Sequence, residues 1–266
     1  LFSGWNPTLD TMAVPYVINL DRSPERWEAL QRDWKGAFPV QRVSAVEASP
    51  GWVGCGLSHV KVVEEAKARG DKWVLVWEDD CIPRKRNGEY TNVQLVKRIW
   101  DHTLEVLSRN MGQWDVILGA TSQVFDRPMM DKGMSTSLVQ LFRVNKGFTT
   151  HWTLYNQSFF DKILEWGKTR PEQIDVYIFK KARVFVTRPF LAEQRPCYSL
   201  IENRETDYSP FFDRAEKEFV PNALPFVAPS SSKRMSVATL VPVMAAAPAP
   251  ATLKLLSRLL PGKSTL

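Results

Sequence analysis

Three consecutive carboxylates, Glu78-Asp79-Asp80, close the apolar run Trp73-Val74-Leu75-Val76-Trp77. A short continuous run of this kind reads as a buried strand. In open α/β sheets, ligands bind in the crevice outside the carboxyl ends of such strands. Adjacent carboxylates repel one another, and a hard divalent cation with oxygen ligands relieves that repulsion. The chemistry such a place suits is the departure of a charged leaving group, with a cation as Lewis acid and template. A solvated acidic turn after a strand fits the same three residues, so the triplet alone leaves both readings open.

Two earlier segments add to it. Val17-Ile18-Asn19-Leu20-Asp21-Arg22-Ser23-Pro24-Glu25-Arg26 reads as strand, turn and helix, and its helix start offers free backbone N–H groups to an anion. A routine βα turn would explain Ser23 as N-cap and Pro24 at the first helical position, but not Asn19 or Arg22. The second segment, Gly54-Cys55-Gly56-Leu57-Ser58-His59, holds glycines that allow close backbone approach, although a lone Gly-rich turn says little. His59 by itself fits a core or surface histidine as well as a functional one.

The elements that must position these residues follow from periodicity. Strands are expected at Val14–Leu20, Val40–Val46, Lys72–Trp77, Trp114–Gly119, Val139–Arg143, Thr149–Tyr155 and Val184–Val186. Helices are expected at about Pro24–Trp34, Leu57–Ala68, Thr91–Leu107 and Ser158–Trp166, with a loop around Pro50 and Gly51. Alternation of strands and helices over the first 120 or so residues predicts an α/β fold with a mostly parallel central sheet flanked by helices. One catalytic domain is expected over about residues 12–220. Beyond it, Pro, Ala and Ser dominate residues 221–266, which predicts a disordered tail. Within that tail, Thr252 to Leu260 has the spacing of a short amphipathic helix that could touch a membrane surface.

Composition narrows the class. No run approaches the roughly 18 apolar residues of a membrane span, and Leu1 to Leu9 lacks the basic-then-apolar pattern of a secretory signal. Three scattered cysteines, Cys55, Cys81 and Cys197, form no disulfide framework and suit a reducing, cytoplasmic setting. Cys55 with His59 is the one short-range Cys/His pair, two ligands short of a closed structural zinc site. The net charge of +6 suits an anionic partner, but no nucleic-acid motif accompanies it, so nucleic acid is not expected as a partner. A Walker-type phosphate loop is also missing, since Gly262-Lys263-Ser264 is only a fragment of one.

In this order the segments resemble glycosyltransferase family 25, the lipooligosaccharide and collagen-type galactosyltransferases. The V-I-N-L-D-R strand with a following E-R is matched by Val17–Arg22 and Glu25-Arg26. The G-E-x-G-C-x-x-S-H pattern is matched by Gly51, Gly54, Cys55, Ser58 and His59, and the E-D-D strand end by Glu78, Asp79 and Asp80. Weaker similarities follow at Trp114–Gly119, Thr149–Leu164, Asp175-Val176 and Pro189, Gln194 and Ser199, so the resemblance spans about residues 14–203. The pattern's Glu is Trp52 here.

The resemblance implies a GT-A-like domain using a UDP-sugar donor, often UDP-galactose, with Mn²⁺ or Mg²⁺ and inversion at the anomeric carbon. It implies Asn19, Asp21, Arg22, Ser58, His59 and Gln194 beside the nucleotide or lining the pocket, and Glu78 and Asp80 on the metal. It makes Asp175 the first candidate for the general base and His151 a second candidate, as base or ligand. The acceptor would be a glycan, glycoprotein or glycolipid. The alternative is an inactive relative that serves as a binding or scaffolding module, which Trp52 favours.

Overall fold

The computed structural model describes residues 14–199, 201 and 204–220. The tail over 221–266 and its amphipathic segment lie outside the described residues. The elements are β1 (Pro15–Asn19), α1 (Pro24–Asp33), β2 (Gln41–Ser44), α2 (Gly51–Arg69), β3 (Trp73–Glu78), α3 (Val93–Ser108), β4 (Val116–Leu118), β5 (Met129–Asp131), β6 (Gln140–Val144), β7 (Trp152–Asn156), α4 (Gln157–Thr169), α5 (Ile174–Lys181), β8 (Val184–Arg188) and α6 (Ser209–Glu218). Short two-stranded ribbons lie outside the main sheet; one pairs Cys81–Pro83 with Ala192–Gln194.

The eight strands form one sheet in the order β2-β1-β3-β7-β4-β8-β6-β5. Residues alternate between its two faces. Ile18, Val74 and Val76 pack with α2, α4, α5 and α6, whereas Val17, Leu75 and Trp77 pack with α1 and α3. The fold is therefore α/β with helices on both faces of a central sheet. Among the described residues, no helix is long and apolar enough to cross a membrane.

The sheet is mixed rather than mostly parallel. β1 is parallel to β2 and β3, and β4 is parallel to β8. β7 runs antiparallel to both β3 and β4, and β6 antiparallel to β8 and β5. A parallel return needs a crossover of a dozen or so residues, usually a helix. No helix lies between α3 and β7, so strands from that stretch enter in both directions. Apolar periodicity carries no sign of direction.

Local signals explain most element ends. Pro24 opens α1, although Ser23, at the N-cap position, makes no side-chain cap bond. Asn92 caps α3 by accepting from the Gln94 and Leu95 amides, and Gly70 ends α2 in the left-handed conformation. One expectation fails at α2, which starts at Gly51 and runs straight through Gly54 and Gly56. Those glycines serve helix packing rather than a loop. A Cβ on Gly54 would press on the Val46 backbone, and one on Gly56 would overlap the Trp166 indole. Gly56→Ala should therefore lower stability by about 1–3 kcal/mol through overpacking, despite the roughly 1 kcal/mol that alanine gains in a helix interior. Urea unfolding reads this directly; an unchanged midpoint would mean that the indole swings aside.

Candidate functional site

β1 and β3 are parallel neighbours, so their carboxyl ends lie side by side. Asn19 is buried at the end of β1. Its amide nitrogen donates to Asp79 Oδ2 at 2.8 Å and to the Ser23 carbonyl at 3.0 Å, while its Oδ1 accepts from Arg42 Nε at 2.8 Å. Arg26, early in α1, lies 2.5 Å from Asp79 Oδ1 and 3.8 Å from Asp80 Oδ2. Both oxygens of Asp79 are thus engaged, and this carboxylate fastens the β1–α1 turn to β3. Burial raises its pKa, with Arg26 and Asn19 pulling the other way.

Glu78 and Asp80 are placed differently. Glu78 Oε1 accepts from Thr150 Oγ1 at 2.7 Å and lies 3.7 Å from His59 Nε2. Burial works to raise this carboxyl, but His59 and Thr150 outweigh it and hold the group below its ordinary value. Asp80 Oδ2 accepts from Gln194 Nε2 at 3.2 Å. Asp80 Oδ1 is buried with no hydrogen-bond partner, and so is Gln194 Oε1. Burial, and then the charge on Glu78, push Asp80 up to about 7. An orphaned buried acceptor costs about 1–3 kcal/mol, and two acceptor oxygens without donors are a donor set that fits a hard cation.

Below them is a rigid base. Trp77, which precedes Glu78, has its ring 4.3 Å from that of Trp152 and 4.8 Å from that of Trp34, centroid to centroid. Trp34 Nε1 in turn donates to the Cys81 carbonyl at 2.9 Å, just past the acidic turn. The carboxylates therefore stand on packed aromatic rings.

The α2 helix supplies a second group. His59 is fully buried, with Nδ1 2.9 Å from the Tyr155 hydroxyl and Nε2 lacking a hydrogen-bond partner. Cys55 lies one turn earlier, and the Cys55 sulfur, a His59 nitrogen and a Glu78 oxygen lie within 4.8 Å of one another. Ser58 faces inward; it donates to the Gly54 carbonyl at 2.7 Å and accepts from the Val46 amide at 2.8 Å. Its hydroxyl clips α2 to the chain after β2 rather than lining a pocket.

The remaining candidates scatter around this centre. Asp21 is exposed and accepts from Arg42 and Ser44, which lower its pKa. Arg22 is exposed and pairs with Glu47 at 3.1 Å. His151 is fully buried with its ring edge-on to Phe212. Burial drives its pKa down to about 4, with Glu78 and the Ala192 backbone acting in the opposite direction. Both of its ring nitrogens are buried without a hydrogen-bond partner, so His151 sits in the core beside Glu78 as a neutral imidazole.

Asp175 sits in the first turn of α5, where Oδ1 accepts from the Val176 amide at 2.7 Å and Oδ2 from the Thr149 amide at 3.3 Å. Burial raises its pKa, and its charge reaches Cys55. The amide it holds belongs to a threonine at φ 87°, a conformation that costs a β-branched residue about 1–3 kcal/mol and tends to occur at functional sites.

Thr150, Tyr155, Arg26 and Arg42 are members of this site that sequence reasoning did not assign. Each meets its partner across a long stretch of chain. The one available local signal was the i, i+4 spacing of Cys55 and His59, which points both at one partner only if the helix begins before Gly54. Two open surface hollows, of about 710 Å³ beside Phe125 and Phe211 and about 850 Å³ beside Arg86 and Gly88, share no lining residue with this site. Hollow size carries no chemistry, and the carboxyl end of β1 and β3 remains the candidate.

No protein-family model and no curated protein sequence matches the chain. Among solved structures it is similar to the crystal structure of A197 from STIV, at 13% sequence identity and a TM-score of 0.41, over 74% of this chain and 95% of that one.

Proposed function

We propose that the chain is a glycosyltransferase of the family 25 type, moving a hexose, galactose by resemblance, from a UDP-sugar to a glycan or other hydroxylated acceptor with inversion. The observation that carries this reading is the pair of donor-less buried oxygens, Asp80 Oδ1 and Gln194 Oε1, at the carboxyl end of β3 beside the Asn19 turn. When bound there, Mn²⁺ or Mg²⁺ would supply charge neutralisation for a departing diphosphate. Asp80 and Glu78, with the Gln194 amide oxygen, would hold it, since Asp79 is engaged by Arg26 and Asn19.

The protein's own groups do the rest. Arg26 offers a second positive charge near the leaving diphosphate, and the exposed Asp21 and Arg22 flank the turn where a nucleotide would lie. Asp175 is the candidate base for the acceptor hydroxyl. Two backbone amides fix its orientation, and burial raises its proton affinity toward the range a base needs.

A second reading, a binding module without turnover, draws on Trp52. In place of the pattern's Glu, an indole lies on the first turn of α2 with its ring centroid 6.4 Å from that of Trp166. Calorimetry separates the outcomes. UDP should bind at least about tenfold more tightly with Mn²⁺ than without it, a coupling of roughly 1.4 kcal/mol. Absence of UDP binding in both conditions overturns the transfer reading and supports the second. Binding without sugar release from any UDP-hexose selects the second.

A further inference from the structure

We propose that Cys55, His59 and Glu78 form a binding site for a zinc-class divalent cation, distinct from the hard-cation position at Asp80. The inference does not depend on the sugar-transfer reading, although Glu78 takes part in both.

Four observations support it. Cys55 and His59 are four residues apart on α2, so their side chains lie on one face of the helix. The end of β3 brings Glu78 to that face, and one ligand atom from each residue lies within 4.8 Å of the others. Ligands of a tetrahedral zinc ion are roughly 3.3–3.8 Å apart, given metal–ligand bonds of about 2.0–2.3 Å, so modest side-chain adjustment closes the set.

The third observation is the orphan. His59 is fully buried, and its Nε2 has no hydrogen-bond partner while lying 3.7 Å from Glu78 Oε1, too far for a hydrogen bond. Leaving such an atom unsatisfied is expensive, and a metal ion is one of the few ligands that takes a buried imidazole nitrogen with a thiolate and a carboxylate together. The fourth is the support behind the ring. His59 Nδ1 is 2.9 Å from the Tyr155 hydroxyl. An Nδ1–H donated to that oxygen leaves the lone pair on Nε2, facing the carboxylate, which is the usual arrangement behind a metal-bound histidine.

The donor set decides the class of ion. One sulfur, one nitrogen and one oxygen suit borderline cations such as Zn²⁺ or Co²⁺ rather than Mg²⁺ or Mn²⁺. Cys55 gives its proton to solvent when it ligates, as metal-binding thiols do. Three protein ligands leave a fourth position for water or a substrate oxygen, as in zinc sites that perform chemistry.

The test uses the full chain, stripped with a chelator and titrated with Co²⁺. One equivalent should bind, with a thiolate-to-cobalt charge-transfer band in the near ultraviolet and visible bands of tetrahedral cobalt, all displaced by Zn²⁺. Cys55→Ser should remove the thiolate band. Tyr155→Phe keeps every ligand and should weaken Co²⁺ binding about 10–100-fold, an arm that remains informative if the serine variant folds poorly. A parent protein without the thiolate band, or a band that persists in Cys55→Ser, overturns the proposal. Asp80→Asn should keep the band intact. Absence of Mn²⁺-linked UDP binding in the parent protein, with its cobalt band present, would count against the transfer reading alone.

Discussion

Asp80→Asn should reduce cation-stimulated release of UDP from a UDP-hexose by about 10²–10³-fold, while stabilising the cation-free fold at pH 7 and above. The first effect follows from the several kcal/mol that a Lewis-acid cation contributes to a developing charge, each 1.4 or so kcal/mol being tenfold in rate. The second follows from burial. Burial, and then the charge on Glu78, push the Asp80 carboxyl up to about 7 in the folded chain, against 3.8 for an ordinary aspartate. Between those values the folded state holds a proton that the unfolded state has lost, so stability falls as pH rises from about 4 through 7. Asparagine cannot ionise and escapes that loss. Added Mn²⁺ should reverse the order by raising the melting temperature of the parent and leaving that of the variant unchanged. A UDP-release assay with and without Mn²⁺ checks the first statement, and thermal melts at pH 5 and pH 8 under the same conditions check the other two. A variant less stable than the parent at pH 8 without metal would show that Asp80 is held by its protein partners rather than strained by burial.

The parts of this site that could be read from sequence are those set by neighbours along the chain. The strand into Glu78 and the turn from Asn19 to Pro24 each follow from apolar runs, β-branched residues and helix-start chemistry, and the structure places them there. The mixed direction of the sheet was not legible, because β7 inserts between β3 and β4 through pairing that no local pattern encodes. The same applies to the partners of the carboxylates. Thr150 meets Glu78 across 72 residues, Tyr155 meets His59 across 96 and Gln194 meets Asp80 across 114. Of these, Gln194 was expected at the site only through the family resemblance. The glycines of α2 misled for a different reason. Their role is close packing against Val46 and Trp166, and a glycine chosen for contact looks the same in sequence as one chosen for a turn.

The support behind Gln194 leads to the largest expected effect on stability. Gln194 ends the ribbon that pairs Ala192–Gln194 with Cys81–Pro83. The next residue after the latter strand, Arg84, is almost fully buried and binds Glu193, Asp213 and Glu216. Glu216 also accepts from Arg86 at 2.7 Å and from the Phe190 amide at 3.0 Å, so one guanidinium ties α6 to the strand that carries Gln194. Arg84→Met keeps much of the stem but strands the fully buried Glu193 without its cation. Breaking a buried pair in this way costs about 3–5 kcal/mol.

The cost should depend on pH. Burial already raises Glu193 while Arg84 lowers it; without Arg84 its folded-state pKa rises further above the unfolded value. The added penalty is therefore absent where both states are protonated and grows as pH rises through the carboxylate range and beyond. Urea unfolding at pH 5 and pH 8 should show the larger deficit at pH 8. Adding Glu193→Gln to Arg84→Met should recover much of the loss, because no charge is then left stranded. An equal deficit in the single and the double variant would assign the energy to lost packing of the arginine stem instead of to the buried charge.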